Sequence, residues 1–193
     1  MIPETNEVNL VIELQKAVTE WVKDIRFTLS KTSSENPTIA EMSVTPKVYK
    51  YYLPERMLDK PEVRRIRADD KTFTPDATPL YPAIIIRPSG GNEDDDSDNG
   101  ISYADTKIDI VILVSEFNQD NRYSFLLLAN KIIRQQLKRI PRRVLADTYM
   151  LQPSMDWQIF DNEQDPLANL TLTTTWRYDV PRGNVGDFDN FFK

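Results

Sequence analysis

The sequence predicts an α+β fold in which a mostly antiparallel four-stranded sheet is flanked by two helices. Three observations lead to this prediction. Residues 7–29 and 123–140 place apolar side chains at three- and four-residue steps, the spacing of a helix with one buried face. Residues 81–88 and 103–115 are apolar runs joined by a turn-rich acidic segment, which indicates a hairpin. Residues 148–159 and 170–180 alternate polar and apolar side chains, as strands with one wet face do.

The composition is that of an ordinary globular domain. The chain has 193 residues, of which 40% are hydrophobic and 28% charged, so we predict one domain over residues 1–181 and a tail over residues 182–193. There is no cysteine and no histidine, which excludes thiolate chemistry and removes the usual general base near neutral pH. We expect no membrane segment and no secretory signal, because the apolar runs fall short of ~18 residues. The net charge of -6 argues against general attraction to nucleic acid.

The first predicted helix covers residues 7–29. Thr5 or Asn6 can cap it, and Glu7 carries a favourable negative charge in the first turn. Its apolar stripe consists of Val8, Val11, Leu14, Val18, Trp21, Val22, Ile25 and Leu29. The polar residues 31–37 end the helix.

A proline-rich segment follows, which we interpret as an extended arm or insertion over residues 44–80. Six of the thirteen prolines of the chain lie in residues 44–82, and proline is unfavourable in central strands. Residues 48–53 and 63–67 are short strand candidates. Tyr49, Tyr51 and Tyr52 favour docking of the arm on a surface over disorder.

The predicted hairpin carries an acidic segment, which we define as Glu93, Asp94, Asp95, Asp96 and Asp98. It is either a solvated hairpin tip or an electrostatic contact with a partner. A calcium loop is a weaker alternative, since Asp95, Ser97, Asn99 and Gly100 occupy loop positions one, three, five and six. Thr106 stands where the bidentate glutamate of such a loop belongs, and the flanking residues indicate strands rather than helices.

The second predicted helix bears a basic run, which we define as Lys131, Arg134, Lys138, Arg139, Arg142 and Arg143. Its predicted inward stripe is Tyr123, Leu126, Leu127, Asn130, Ile133, Leu137 and Ile140. Cations near a helix C-terminus can simply stabilise the helix. They can also contact the acidic segment of a neighbouring subunit in a head-to-tail ring, or passing DNA. We favour the neighbouring subunit, because no aromatic residues are interleaved with these cations.

The closing strands and the tail complete the domain. Pro153 predicts an edge strand or a bulge within residues 148–159. The tail holds Phe188, Phe191 and Phe192, which either fold back on the core or dock on another subunit.

Nothing in the sequence points to catalysis. It contains no glycine-rich phosphate cradle, no nucleophile elbow and no spacing of metal ligands. We therefore expect a protein that is not an enzyme and has no catalytic residues, cofactor or bound metal.

The order of these elements resembles that of the tail terminator, or tail completion, proteins of long-tailed bacteriophages. The resemblance rests on a first helix, the strand over residues 81–88, a polar hairpin, the strand over residues 108–114, and the helix that begins at Tyr123. The closing pair contains Met155, Trp157 and residues 170–176. It covers residues 82–181 and the first helix, and the proline-rich residues 44–80 depart from it.

The resemblance implies a structural virion protein without a catalytic step. Such proteins form a ring, usually sixfold, on the head-proximal end of the tail tube, where they stop tube growth and meet the neck. The implied partners are other copies of the chain, the tail tube protein and a neck or head-completion protein, with assembly in the host cytoplasm. Phage DNA passes through the lumen without specific binding. The alternatives are another neck adaptor, a tail tube subunit, or a non-viral adaptor or calcium-binding interaction module.

Overall fold

Two α-helices pack on one face of a curled β-sheet in the computed structural model of the chain, which describes residues 7–29, 42–53, 81–96, 101–116, 118–161 and 167–180. In chain order, the elements are α1 (Glu7–Val22), β1 (Phe27–Leu29), β2 (Met42–Val44), β3 (Lys47–Lys50), β4 (Ala83–Asp96), β5 (Ile101–Ser115), α2 (Gln119–Arg139), a short 3-10 helix (Pro141–Arg143), β6 (Val144–Leu145), β7 (Tyr149–Asp161) and β8 (Leu167–Val180). No helix in these ranges is both long enough and apolar enough to cross a membrane.

The prediction of a four-stranded, mostly antiparallel sheet is wrong. Within the described residues, the main sheet has six strands in the order β3-β4-β5-β8-β7-β6 and is mixed, because β3 runs parallel to β4. The two additional strands, β3 and β6, are short and lie at the edges of the sheet. A parallel partner arrives through a long connection and leaves no hairpin signal, and two residues are too few to show alternation. The α+β class itself agrees with the prediction.

The first helix is shorter than the predicted residues 7–29. It ends at Val22, and the Ile25 N–H then donates a hydrogen bond to the Val22 carbonyl at 3.0 Å. Ile25 and Phe27 are still buried, because both belong to the hydrophobic core that the helices share. The chain continues there as β1, which pairs with β2 in a separate two-stranded sheet. The Phe27 ring lies 4.4 Å from the ring of Phe125 on α2. Ile25 therefore keeps the helical spacing of apolar residues although it lies beyond the end of the helix, which is why the sequence predicts too long a helix.

The acidic segment belongs largely to strand β4 and is not only a turn. Glu93 pairs with Ala104, and the register continues to the pairing of Asp96 with Ile101. The turn-like composition reflects a bulge between Pro88 and Gly90, where proline cannot donate to the ladder. Gly91 is required nearby, because a Cβ there would lie 2.9 Å from the backbone oxygen of Asp105.

Long strands and both helices share one hydrophobic core. Its sheet side is formed by alternate residues of β4, β5 and β8, among them the fully buried Ile110 and Trp176. The buried indole is satisfied, because Trp176 Nε1 donates to Thr174 Oγ1 at 2.9 Å, and Thr174 Oγ1 donates to the Ile108 carbonyl at 3.2 Å. The predicted stripe of α2 is partly wrong: Phe125 is buried, whereas Tyr123 and Leu127 are exposed.

The start of α2 is fixed to the end of β7. Asn118 caps the helix by accepting from the Asn121 N–H at 3.1 Å. Arg122 forms a buried ion pair with Asp161, with an N–O distance of 3.2 Å and side-chain exposures of 2% and 8%. Removing one member of so buried a pair would leave an uncompensated charge in the interior. Because both charges must stay together, this contact holds the first turn of α2 against the end of β7. The β7 strand also has a register shift between Leu151 and Met155, which confirms the bulge predicted from Pro153.

Replacement of Ile110 by alanine is expected to lower the free energy of unfolding by about 3 kcal/mol, because it leaves a cavity in the fully buried centre of β5. Urea unfolding followed by circular dichroism measures the change. Lys107→Ala on the same strand is the control, since Lys107 is exposed on the opposite face. Equal stability of the two variants would contradict this account of the core.

Candidate functional site

A groove lies between α2 and β7 and has a volume of about 330 Å³. We call it the basic groove. Its lining residues are Leu127, Asn130, Lys131, Arg134, Gln135, Lys138 and Trp157. The cations come from one face of α2, at positions 131, 134 and 138, where helical geometry aligns side chains three or four residues apart. The groove therefore has a cationic wall about 10 Å long.

Trp157 brings an aromatic surface to these cations. It lies on β7 opposite Leu172 of β8, on the face of the sheet that carries the helices, and its side chain is 44% exposed. Leu127 is also 44% exposed and lines the same groove. No aromatic residue is interleaved with the basic run in the sequence, but the fold brings one from another element. Trp157 is distant in sequence and on another element, so local interleaving could not reveal it.

Two buried polar atoms of the groove lack partners within the described part of the chain. Asn130 is 2% exposed, yet its Oδ1 atom accepts no hydrogen bond there. The Nε–H of Arg134 is likewise buried without an acceptor among the described residues. A buried polar group without a partner costs about 1–3 kcal/mol.

The structure gathers only part of the predicted basic run. Lys131, Arg134 and Lys138 line the groove, whereas Arg139, Arg142 and Arg143 are not among its lining residues. Arg142 and Arg143 follow in the short 3-10 helix and have positive φ angles of 52° and 60°, so the chain changes direction there. Three of the six cations of the sequence run therefore lie outside the groove.

The acidic segment and the basic groove lie on different strands, toward opposite edges of the sheet. Its strand β4 is separated from β7 by β5 and β8, or roughly 14 Å along the sheet. Glu93 is exposed. Asp94, Asp95 and Asp96 are placed by their backbone pairing in β4, and Asp98 lies outside the described residues, as do Phe188, Phe191 and Phe192.

A polar network covers the sheet face that carries no helix. Arg177 of β8 donates to both carboxylate oxygens of Asp105 on β5, at 2.8 and 2.7 Å, and its guanidinium lies 4.2 Å from the centre of the Tyr103 ring. Asp109 accepts from Thr173 at 2.8 Å and from Ser89 at 3.0 Å. These cross-strand contacts join β4, β5 and β8 on a face that remains polar.

A second cavity, of about 390 Å³, is open to solvent at the β4 bulge and is lined in part by Glu7, Gly91 and Thr106. Thr106 is buried and its hydroxyl lies 3.3 Å from that of Tyr178. Burial raises the pKa of Tyr178 to about 12. The predicted calcium-loop position twelve is therefore turned to the core side of a strand, and the flanks are the strands β4 and β5, while residues 97–100 of that loop lie outside the described residues. Among the described residues, no three His, Cys, Asp or Glu side chains cluster as metal ligands would.

Comparison with known proteins adds little to this geometry. No protein-family model and no curated protein sequence matches the chain. Among solved structures, the chain is similar to a chain in the virion of a native gene transfer agent particle, with 12% identity and a TM-score of 0.39. The match covers 86% of this chain and 95% of that one. A similarity this low carries no argument about the function of this chain.

The Asp105–Arg177 pair predicts a specific pH dependence of stability. The hydrogen bonds and charge of Arg177 hold the pKa of Asp105 below its ordinary value. Because the folded-state pKa is depressed, the pair stabilises the fold fully above the ordinary carboxyl pKa of about 3.9 and loses this effect as the pH falls through the folded value. Asp105→Asn should therefore be less stable than wild type at pH 6, and the difference in unfolding free energy should shrink below about pH 4.

The control is the same substitution in an Arg177→Gln background, where Asp105 has lost its cation. In that background, Asp105→Asn should change the unfolding free energy by an amount that depends less on pH than it does in the wild-type chain. Urea unfolding at each pH measures this change. A difference that is the same at pH 6 and pH 3, or unaffected by Arg177→Gln, would contradict the assignment.

Proposed function

We propose that the chain is a structural protein of a phage-type virion, specifically a tail terminator that forms a ring on the head-proximal end of the tail tube and joins it to the neck. The proposal combines the sequence resemblance with one structural observation. Surfaces of opposite charge lie toward opposite edges of one sheet, with the acidic β4 segment toward one edge and the basic groove beside β7 toward the other. That arrangement suits association through two different surfaces.

Head-to-tail association through two different surfaces closes into a ring when the rotation between copies permits. The two charged surfaces of this chain are held by the sheet and do not meet within one molecule. Exposed apolar side chains beside the groove, including Leu127, Leu128 and Trp157, add area that binding would remove from water. We propose that copies contact one another through two different surfaces, one toward each edge of the sheet, and that the ring is a hexamer, the usual number implied by the resemblance.

The other partners in the proposal follow from the position of such a ring. One rim contacts the tail tube protein, the other contacts a neck or head-completion protein, and DNA passes through the lumen without specific binding. The net charge of -6 favours passage, because a surface with excess carboxylates does not retain the DNA backbone. A neck adaptor remains the second candidate, since it also needs two complementary surfaces.

Light-scattering mass and negative-stain imaging over a concentration series test the proposal. We expect closed rings of one size, formed by the chain alone or on the ends of purified tail tubes. Long tubes formed by the chain alone would indicate a tube subunit instead. A monomer at every concentration that also fails to bind tube ends would overturn the proposal.

Neutralising the acidic segment should weaken ring formation. The variant Asp94→Asn, Asp95→Asn, Asp96→Asn and Asp98→Asn removes four charges from the hairpin, and we expect rings to need about tenfold more protein, because charge complementarity guides association. The matched control neutralises Glu13, Glu20, Asp24 and Asp147, which lie on α1, just after it, and in the turn after β6. Equal ring formation by both variants would remove the acidic segment from the interface.

A further inference from the structure

We propose that the basic groove binds the C-terminal segment of a second copy of this chain, residues 183–193. In this contact, the phenyl rings of the segment pack on Trp157 and Leu127, and its carboxylates meet Lys131, Arg134 and Lys138. The inference deepens the proposed function, on which it rests for the association of copies, because it names the contact by which one copy holds the next.

The groove combines two chemistries that a suitable ligand must match. Trp157 on β7 and Leu127 on α2 each expose nearly half of their side chains, and the α2 wall also carries three cations. The segment over residues 183–193 reads GNVGDFDNFFK and so combines two aspartates and three phenylalanines with one lysine. The acidic residues 93–100 read EDDDSDNG, which supplies charge but no apolar side chain. The C-terminal segment therefore offers partners for both the apolar side chains and the cations of the groove, while the acidic segment offers partners for the cations alone. In the proposed ring, the acidic segment instead contacts the cations of the basic run outside the groove, Arg139, Arg142 and Arg143.

The position of the last described strand favours a second copy over the same molecule. Trp157 lies opposite Leu172, whereas β8 ends eight residues later at Val180, roughly 26 Å away along the strand. Phe188 is the eighth residue after Val180, so a chain returning to its own groove must be almost fully extended as far as Phe188 to place all three phenyl rings there. A neighbouring copy imposes no such requirement.

Fluorescence anisotropy of a labelled peptide of residues 183–193, titrated with the full-length chain, tests the inference. We expect saturable binding that the double variant Lys131→Glu and Arg134→Glu weakens by about tenfold or more and that Trp157→Ala also weakens. Arg139→Glu is the matched control, because Arg139 is an exposed cation of the same helix outside the groove, and it should bind as wild type does. Circular dichroism and urea unfolding establish that each variant is folded.

Three competitors separate the sources of binding. The labelled peptide should be displaced by its unlabelled form but not by a peptide with Phe188, Phe191 and Phe192 replaced by alanine. A peptide of residues 92–100 and a single-stranded oligonucleotide should displace it poorly. Displacement by either of these at lower concentration than the unlabelled peptide, or equal binding by wild type and the Lys131→Glu and Arg134→Glu variant, would overturn the inference.

The outcome for the groove is distinguishable from that for the ring. Peptide binding that depends on Lys131 and Arg134, in a chain that neither forms rings nor binds tube ends, would retain the groove inference and remove the terminator proposal. Ring formation that is unchanged by the groove variants would retain the ring and overturn the inference.

Discussion

The pairing of β5 with β8, from Ser102 to Ser115 on one strand and Leu167 to Val180 on the other, is the constraint on which the rest of the structure depends. These two strands form the middle of the sheet, and β4 and β7 attach on either side. Their inner residues, including Ile110 and Trp176, hold both helices through one core. The same pairing keeps the acidic β4 segment apart from the basic groove beside β7. Each of these two surfaces can therefore contact another molecule.

Local patterns were sufficient for the parts of the fold that depend on local chemistry. Alternation over residues 170–180 predicts β8 with the correct buried face, and Pro153 predicts an edge strand or a bulge, of which β7 shows the bulge. Non-local pairing defeats the same method: β3 joins β4 in parallel across a long proline-rich connection, and β6 has only two residues. The turn-rich composition of residues 89–100 predicts a hairpin tip, but Gly90 follows a bulge and Gly91 lies at a close approach between strands, so β4 continues to Asp96.

The candidate site shows the same division. The sequence identifies Lys131, Arg134 and Lys138 through their spacing on one helix, but it also groups them with three arginines that lie elsewhere. Trp157 enters the groove from β7, and its position depends on the register with β8 and on the Arg122–Asp161 pair that fixes α2. Asn130 was predicted to face inward and does so, yet only the folded chain reveals that its oxygen lacks a partner among the described residues. Tertiary packing thus places an exposed tryptophan beside the charged face of the helix, and the two together form the groove.

The central claim of this account is that copies of the chain bind one another through the basic groove. Cross-linking tests it most directly. A chain in which photoreactive benzoylphenylalanine replaces Phe188 is mixed in equal amounts with ¹⁵N-labelled wild-type chain and then irradiated. Mass spectrometry then separates links within a chain from links between chains. The account predicts links from position 188 to peptides containing Trp157 or Lys131 of the labelled partner. Links to the same chain alone, or to the face of the sheet around Asp105 and Arg177, would contradict it.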